Sequence, residues 1–526
     1  MDIFTNSTHN NNSTLDGYFV TWILLLTVTC LIPIWWLRFL PMQDYPQHLF
    51  ITKILTSFYD PHLDWSSHYD INLHSGAYAL SYGLMVLLTT ISDVETAGKI
   101  VISLYVVLMT GVVLRIRRYY PPEPMPWPLL LVFPLLFHQC YFLGFQSYLL
   151  SLPLLFFSLM QLIDFAHQRV TLHSLLALMV SVVLLILAHP YTVLVFLVLG
   201  SVMVLTTWQH RSVLTRALVP MLLVGILFIG WLVTGSNQPE SAKLNWEISW
   251  WPVKSVALFL MMMFYGLRWQ NGVDISSIVL WSLVVLLLWG NARRAQAQPI
   301  SYFSQLMRWF LSAALLGFFV LPFWFGFYSY FNLRLAPIIY FLSVFAVAHL
   351  PLGPARLARS FNFNSSAFLS RMAAPVLAIL AWLLVATSIQ TQSKISDETA
   401  TILPVLDKMS PHSAVLPVLD DSSTHILDSV LFYQLHAHDH YYYHIIHNGG
   451  VNPLLFRNPM IPVQLKPERV WPLLEATPVS EWPKVLKNYR YVLVRGHNPQ
   501  RIQLLTKSSR VVVQSGPWTL LEVTTQ

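Results

Sequence analysis

Directly after its first long apolar run the chain reads RFLPMQDYPQHLFITKIL, which brings Asp44, His48 and Lys53 together in one short stretch. A carboxylate can take the proton of an attacking hydroxyl, and imidazole or ammonium groups can hold phosphate oxygens. Leu49, Phe50, Ile54, Leu55 and Phe58 recur there at helical spacing. That spacing predicts an amphipathic helix on the membrane surface, with Asp44 at or just before its first turn. A helix N-terminus also favours a carboxylate as a plain cap, so spacing alone leaves capping and proton transfer both open.

Other side chains could act at the membrane edge. Arg334 is a lone Arg between FWFGFYSYF and the apolar stretch that begins at Pro337. A charge at that depth is costly and points to function unless the side chain snorkels to the interface, and an Arg fork suits phosphate oxygens. His189 interrupts an apolar stretch beside Pro190, where it serves either a helix break or an anion. Lys53 and Arg268 are edge cations of the ordinary anchoring kind that could also meet phosphate. Further along, His436, His438, Asp439, His440, His444 and His447 form a cluster with i, i+4 spacings. With no HExxH pattern and no nearby cysteine, a zinc site is disfavoured. The run, with Tyr441, Tyr442 and Tyr443, reads instead as a polar aromatic roof over a substrate cleft.

What must position these residues is a membrane scaffold. The 526 residues are 55% hydrophobic and only 10% charged, with a mean hydropathy of +0.55, against about 25% charged residues in soluble domains. Long apolar runs begin at residues 19–37 and recur to residue 385. Only hydrocarbon accepts such runs, provided their backbones bond internally. Cys30 and Cys140 both lie in apolar runs, so no disulfide framework is indicated. The net charge of +7 fits cytoplasmic anchoring, and no basic stripe with interleaved aromatics suggests nucleic acid. The opening stretch, rich in Asn, Ser and Thr and without Lys or Arg, does not read as a secretory signal.

Basic clusters set an orientation: Arg115, Arg117 and Arg118; Arg211 and Arg216; Arg293 and Arg294; Arg356, Arg359 and Arg371. If all face the cytoplasm, the spans between successive clusters must be even in number. Apolar segments 127–140, 142–162, 175–188 and 191–207 separate the first two clusters, and 307–325 and 337–350 separate the last two. Parity holds throughout if segments 77–91 and 253–267 lie in the interface as amphipathic or re-entrant helices. The expectation is a mainly α polytopic membrane protein of about eleven transmembrane helices plus interfacial helices, followed by a soluble C-terminal α/β domain. Residues 1–17 form a disordered tail, 18–389 the membrane domain with a first extracytoplasmic loop at 38–93, and 390–526 the extracytoplasmic domain. Strands are expected at 413–419, 489–495, 510–514 and 519–523, and helices at 424–447 and 482–487.

DYPQHL at 44–49, LGFQSYLLSLPL at 143–154, LAHPY at 187–191, NLRLAP at 332–337, HIIHNGGVNPLLF at 444–456 and YRYVLVRG at 489–496 resemble, in order and spacing, a group of bacterial GT-C-like membrane proteins. The resemblance implies a GT-C fold and inverting transfer of a sugar from a polyprenyl-phosphate donor to an extracytoplasmic glycan, lipid or protein acceptor, in the bacterial inner membrane. It makes Asp44 the general base and asks for a second acid, for which Asp70 is favoured over Asp60 and Asp64. Arg334, His189, His48, Lys53 and Arg268 become donor-phosphate residues, and His444, His447 and Tyr443 belong to the acceptor side of the tail. A divalent cation, Mg or Mn, is left open. Two competing classes are a flippase for a lipid-linked glycan and a catalytically inactive GT-C-like assembly subunit. The first calls for polar mid-span residues and symmetric repeats, and neither is visible.

Overall fold

Among the described residues, helices form where the apolar runs are long and free of closely spaced prolines. The computed structural model describes residues 13–73, 76–120, 125–167, 171–208, 211–235, 248–250, 302–325, 330–348, 366–424, 426, 434–455, 461–466, 474 and 477–524. The helices that matter for the site are α1 Ser13–Trp36, α2 Tyr45–Ser57, α3 Ala79–Leu88, α4 Val94–Arg117, α5 Gln146–His167, α6 Leu172–Ala188, α7 Pro190–Thr206, α8 Arg211–Gly235, α9 Tyr302–Val320, α10 Leu335–Val347, α11 Ser366–Ala400 and α12 Tyr441–Ile446. Among the described residues, six stretches are long and apolar enough to cross a membrane: Gly17–Trp36, Val94–Arg117, Gln146–His167, Ser212–Gly230, Tyr302–Val320 and Pro375–Leu406. Shorter apolar helices accompany them. Segment 253–267, Arg268, and the clusters at Arg293 and Arg294 and at Arg356 and Arg359 lie outside the described residues. The first helix starts at Ser13, inside the stretch expected to be disordered.

Segment 127–140 is not the regular span its hydropathy suggests. It forms two 3-10 turns, Trp127–Val132 and Pro134–Phe137, then a one-turn helix, Gln139–Phe142. Pro126, Pro128 and Pro134 each lack an N–H and disfavour helical geometry in the residue before them. Irregular backbone at membrane depth is tolerated only inside protein. Here Leu129 to Val132 and Leu135 to Phe137 are essentially inaccessible, packed against α1, α10 and α11. The Tyr105 hydroxyl donates to the Leu136 carbonyl at 3.2 Å, and the Cys30 thiol approaches the Phe133 carbonyl at 3.8 Å. Segment 307–325 is shifted rather than confirmed as a helix: α9 begins at Tyr302 and stops at Val320, and Trp324–Phe325 pairs with Ile248–Ser249.

Arg115 near the end of α4 meets Asp164 near the end of α5 at 2.5 Å, and Tyr119 donates to the same carboxylate at 2.7 Å. The two helices therefore end on the same side, and the 3-10 segment returns the chain between them. At the opposite end, Lys99 Nζ donates to the Leu37 carbonyl at 2.7 Å, tying the start of α4 to the end of α1. Asp44 follows on that side.

The tail builds a four-stranded sheet from β2 Val415–Leu419, β4 Tyr491–Arg495, β5 Ser509–Ser515 and β6 Trp518–Val523, in the order β2-β4-β6-β5. β2 runs parallel to β4, and the other pairs are antiparallel. Leu416, Val418, Trp482, Val492, Val494 and Leu521 share one core on it. No helix spans 424–447. Among the described residues there, 435–440 are turns and only α12 is helical, so the histidines do not align along one helix face.

Tail and first loop are built together. β1 Tyr69–Ile71 pairs antiparallel with β3 Val463–Leu465, with Asp70 opposite Gln464. Phe50 of α2 lies against Tyr441 at 5.2 Å and His444 at 4.9 Å. The apolar stripe of α2, expected to lie on lipid, is instead buried in protein, with Leu49, Phe50, Ile51 and Ile54 all at 0% exposure. α11 continues through residues 389 and 390 to Ala400 and brings Glu398 into the tail.

Candidate active site

Asp44 occupies the N-cap position of α2, yet its side chain caps no backbone amide, and its own backbone is helical (φ −86°, ψ −8°). Plain capping therefore does not explain it. Its position is set from behind by the loop after the 3-10 segment. Gln43 N–H donates to the Phe142 carbonyl at 2.8 Å, and Asp44 N–H to the Leu143 carbonyl at 3.2 Å. Gly144 of the LGFQSY motif has φ +77°, and a Cβ there would stand 2.6 Å from Asp44 N and 2.9 Å from Tyr45 N. Both obstacles are backbone, so only glycine fits.

The Asp44 carboxylate is 9% exposed as a residue. Burial pushes its pKa up to about 7, against the pull of the Arg334 charge and a hydrogen bond from Gln43. Arg334 closes the turn Asn332–Arg334 just before α10 and is 7% exposed, so it does not snorkel to an interface. Its guanidinium sits over the Phe145 ring at 4.7 Å, and its carbonyl accepts from the Tyr148 hydroxyl. One loop, 143–145, thus touches both the carboxylate residue and the guanidinium. Arg334 also lies within electrostatic reach of His189 and Tyr191. His189 is buried, caps α7 by accepting from Tyr191 N–H at 3.2 Å, and packs beside Tyr78 at 5.1 Å and Tyr148 at 5.5 Å. The helix-break role and a place near the cation are both realised.

The remaining expected residues are elsewhere or otherwise engaged. His48 lies one turn beyond Asp44, with Nδ1 at 2.7 Å from the Tyr82 hydroxyl and a bond to the Gly144 backbone. Burial takes its pKa down to about 4, so its ring is neutral. Lys53 donates to the Ile445 carbonyl at 2.8 Å and lines a separate cleft of about 600 Å³ with Asp93, Glu95 and Lys99. Asp70 points outward on β1, its side chain 60% exposed, with Lys466 Nζ at 3.9 Å. Tyr443 donates to the Ser410 carbonyl at 2.6 Å, and His444 Nδ1 is 2.9 Å from the Gly449 carbonyl. His447 packs on the Tyr443 ring at 5.4 Å. These tail residues dock and shape the tail. Arg268 lies outside the described residues.

Among the described tail residues, His438 reaches the acid, its Nε2 lying 3.4 Å from Asp44 Oδ1. Only the density of histidines around it signalled this, since no spacing rule links positions 44 and 438. Next to it is a buried charge network. His436 Nδ1 meets Asp439 at 2.6 Å, His436 Nε2 meets Glu398 at 3.4 Å, and Arg495 meets Glu398 at 3.3 Å. Burial alone would lower the His436 pKa, but Asp439 and Glu398 outweigh it and hold the imidazole above its ordinary value. The bound proton therefore stabilises the docked tail fully below about pH 6.5, and that stabilisation is lost as pH rises through the raised value. The melting temperature of the tail is expected to fall as pH is raised from about 6 to 9, and His436→Gln is expected to flatten that fall. A pH-independent melting curve in the parent protein would contradict this.

Mg or Mn takes several oxygen ligands, and Asp44 lies within electrostatic reach of the Arg334 guanidinium. Among the described residues no group of three metal-ligating side chains gathers.

No protein-family profile and no curated protein matches the sequence. A solved structure does: ArnT from Cupriavidus metallidurans bound to undecaprenyl phosphate, with a TM-score of 0.55 and 13% identity, over 96% of this chain and 98% of that one. Agreement nearly end to end at so low an identity is a likeness of fold. The chain is an integral membrane protein with a GT-C-like fold.

Proposed function

We propose that the chain is a membrane glycosyltransferase that moves a sugar from a polyprenyl-phosphate donor to an acceptor hydroxyl on the extracytoplasmic side of the bacterial inner membrane. The observation that carries this reading is an uncapped, buried Asp44 within electrostatic reach of a buried Arg334, both in contact with the 143–145 loop. The fold likeness to a protein solved with undecaprenyl phosphate supports the donor class.

The acceptor oxygen attacks the anomeric carbon on the face opposite the phosphate, and Asp44 takes the hydroxyl proton as the new bond forms. The bond from the anomeric carbon to the phosphate oxygen breaks, its electron pair leaves with the lipid phosphate, and the configuration inverts. Arg334 lends the departing oxygens a bidentate partner in a site shielded from water. His189 and its aromatic neighbours border the same cation. Positive charge thus comes from the chain itself, and transfer proceeds without a divalent ion. About eleven spans put the tail on the same outer side, where it roofs the donor.

The test is turnover of radiolabelled sugar on undecaprenyl phosphate by the purified protein in nanodiscs, with membrane lipids as acceptors and EDTA present. One polyprenyl phosphate is expected per sugar transferred. Because Asp44 must be ionised and its pKa is about 7, kcat/KM should rise with pH through that value to a plateau. Full activity at about pH 5, or a strict need for added Mg or Mn, would overturn the reading.

A further inference from the structure

Among the described residues of the tail, His438 brings an imidazole nitrogen to Asp44, at 3.4 Å from Nε2 to Oδ1. The contact is mostly shielded, with side-chain exposures of 15% for His438 and 12% for Asp44. Burial and the neighbouring His48 keep His438 neutral, with its pKa down to about 3. A neutral imidazole carries one N–H, and a carboxylate can only accept, so the favourable tautomer has the proton on Nε2. The other groups facing Asp44 are Arg334, Gln43, Tyr82, Tyr330 and Tyr441.

The segment that carries His438 is anchored firmly for a turn. His436 N–H donates to the Ser422 carbonyl at 3.1 Å, and Tyr441 N–H to the His438 carbonyl at 3.0 Å. Two residues before His438, His436 joins Asp439 and Glu398, and Glu398 joins Arg495 on β4. Glu398 belongs to α11, which rises from the membrane part. The imidazole is therefore suspended between the last long helix and the tail sheet, and aimed at the first loop.

We propose that His438 is the positioning residue for Asp44: its Nε2–H holds Oδ1 and leaves Oδ2 to take the acceptor proton, so that the tail completes the active site. This rests on Asp44 being the general base. A tail lifted from α2 would leave the carboxylate without this donor, which couples catalysis to tail docking. A hydrogen bond to the ionised carboxylate also favours that form and offsets part of the cost of burial.

The experiment uses the full chain in nanodiscs with undecaprenyl-phosphate-linked sugar. His438→Phe keeps a ring and removes the donor. It is expected to lower kcat by about tenfold to hundredfold, leave the donor KM within about threefold, and move the acid limb of the pH–rate profile up by about one unit. His438→Gln keeps an N–H donor and is expected to recover most of kcat and return the limb toward its parental position. If His438→Phe does not fold, His438→Leu against His438→Asn makes the same comparison at matched size. An unmoved acid limb in the donor-less variants, or glutamine and asparagine variants no better than their apolar counterparts at equal melting temperature, would overturn the proposal. Asp44→Asn separates the two readings. If it is inactive while His438→Phe behaves as parent, only the positioning role fails; if it turns over normally, the base assignment fails first.

Discussion

Asp44→Asn is expected to lower sugar transfer by about 10²–10⁴-fold, the range a general base contributes, with the protein still inserted and folded. Asparagine matches aspartate in shape and keeps the backbone bonds of residues 43 and 44 to Phe142 and Leu143, but its amide cannot accept the acceptor proton. Loss of a helix cap will not explain the defect, because the carboxylate caps nothing. Removing the negative charge does change the electrostatic surroundings of Arg334, which lies within reach of Asp44 in a buried site. Turnover should therefore be measured beside a melting curve in the same nanodiscs. Asp44→Glu restores the charge one methylene too far out and should regain stability more than rate. Turnover of Asp44→Asn within about tenfold of parent would end the general-base assignment.

Arg334→Ala is expected to cost about 10²–10³-fold in kcat/KM for the donor, the effect of deleting one preorganised donor at a developing anion. It should weaken binding of the released polyprenyl phosphate as well, since product and departing group share the same oxygens. Arg334→Lys keeps a point charge but loses the fork and the flat face on Phe145, so it should recover only part of the loss. The acid limb of the pH profile should move upward in Arg334→Ala, because the guanidinium opposes the burial that raises Asp44. Unchanged product binding in Arg334→Ala would show that phosphate is held elsewhere. The Lys53 cleft, with Glu95 and Lys99 in it, would then be the next place to look.

Residue type alone singled out both halves of this pair, because a carboxylate after the first span and a lone Arg beside a late one are each expensive at a bilayer edge. The long helices were legible for a related reason: hydrocarbon admits only backbone that bonds to itself, so runs such as those of α4 and α5 have one solution. Hydropathy could not tell lipid from protein as the neighbour. The stripe of α2 therefore read as membrane-facing, although tail rings at Tyr441 and His444 cover it. The proline-rich stretch at 127–137 read as a regular span, although it survives as 3-10 turns only because other helices enclose it. The histidine run at 436–447 read as one helix, but Asp439 and Glu398 draw His436 into a charge network and the chain turns there instead.

The sequence by itself determined the membrane scaffold, its principal helices and the two costly charges, since each follows from local composition against a low-dielectric solvent. Only the tertiary structure decided that Asp44 leaves its helix end uncapped, that Arg334 is its counter-charge, and that His438 arrives at it from the far end of the chain. Those facts depend on packing between segments hundreds of residues apart, on the Gly144 backbone fitting behind Asp44 and the tail seating on α2, and no local pattern encodes a contact of that kind.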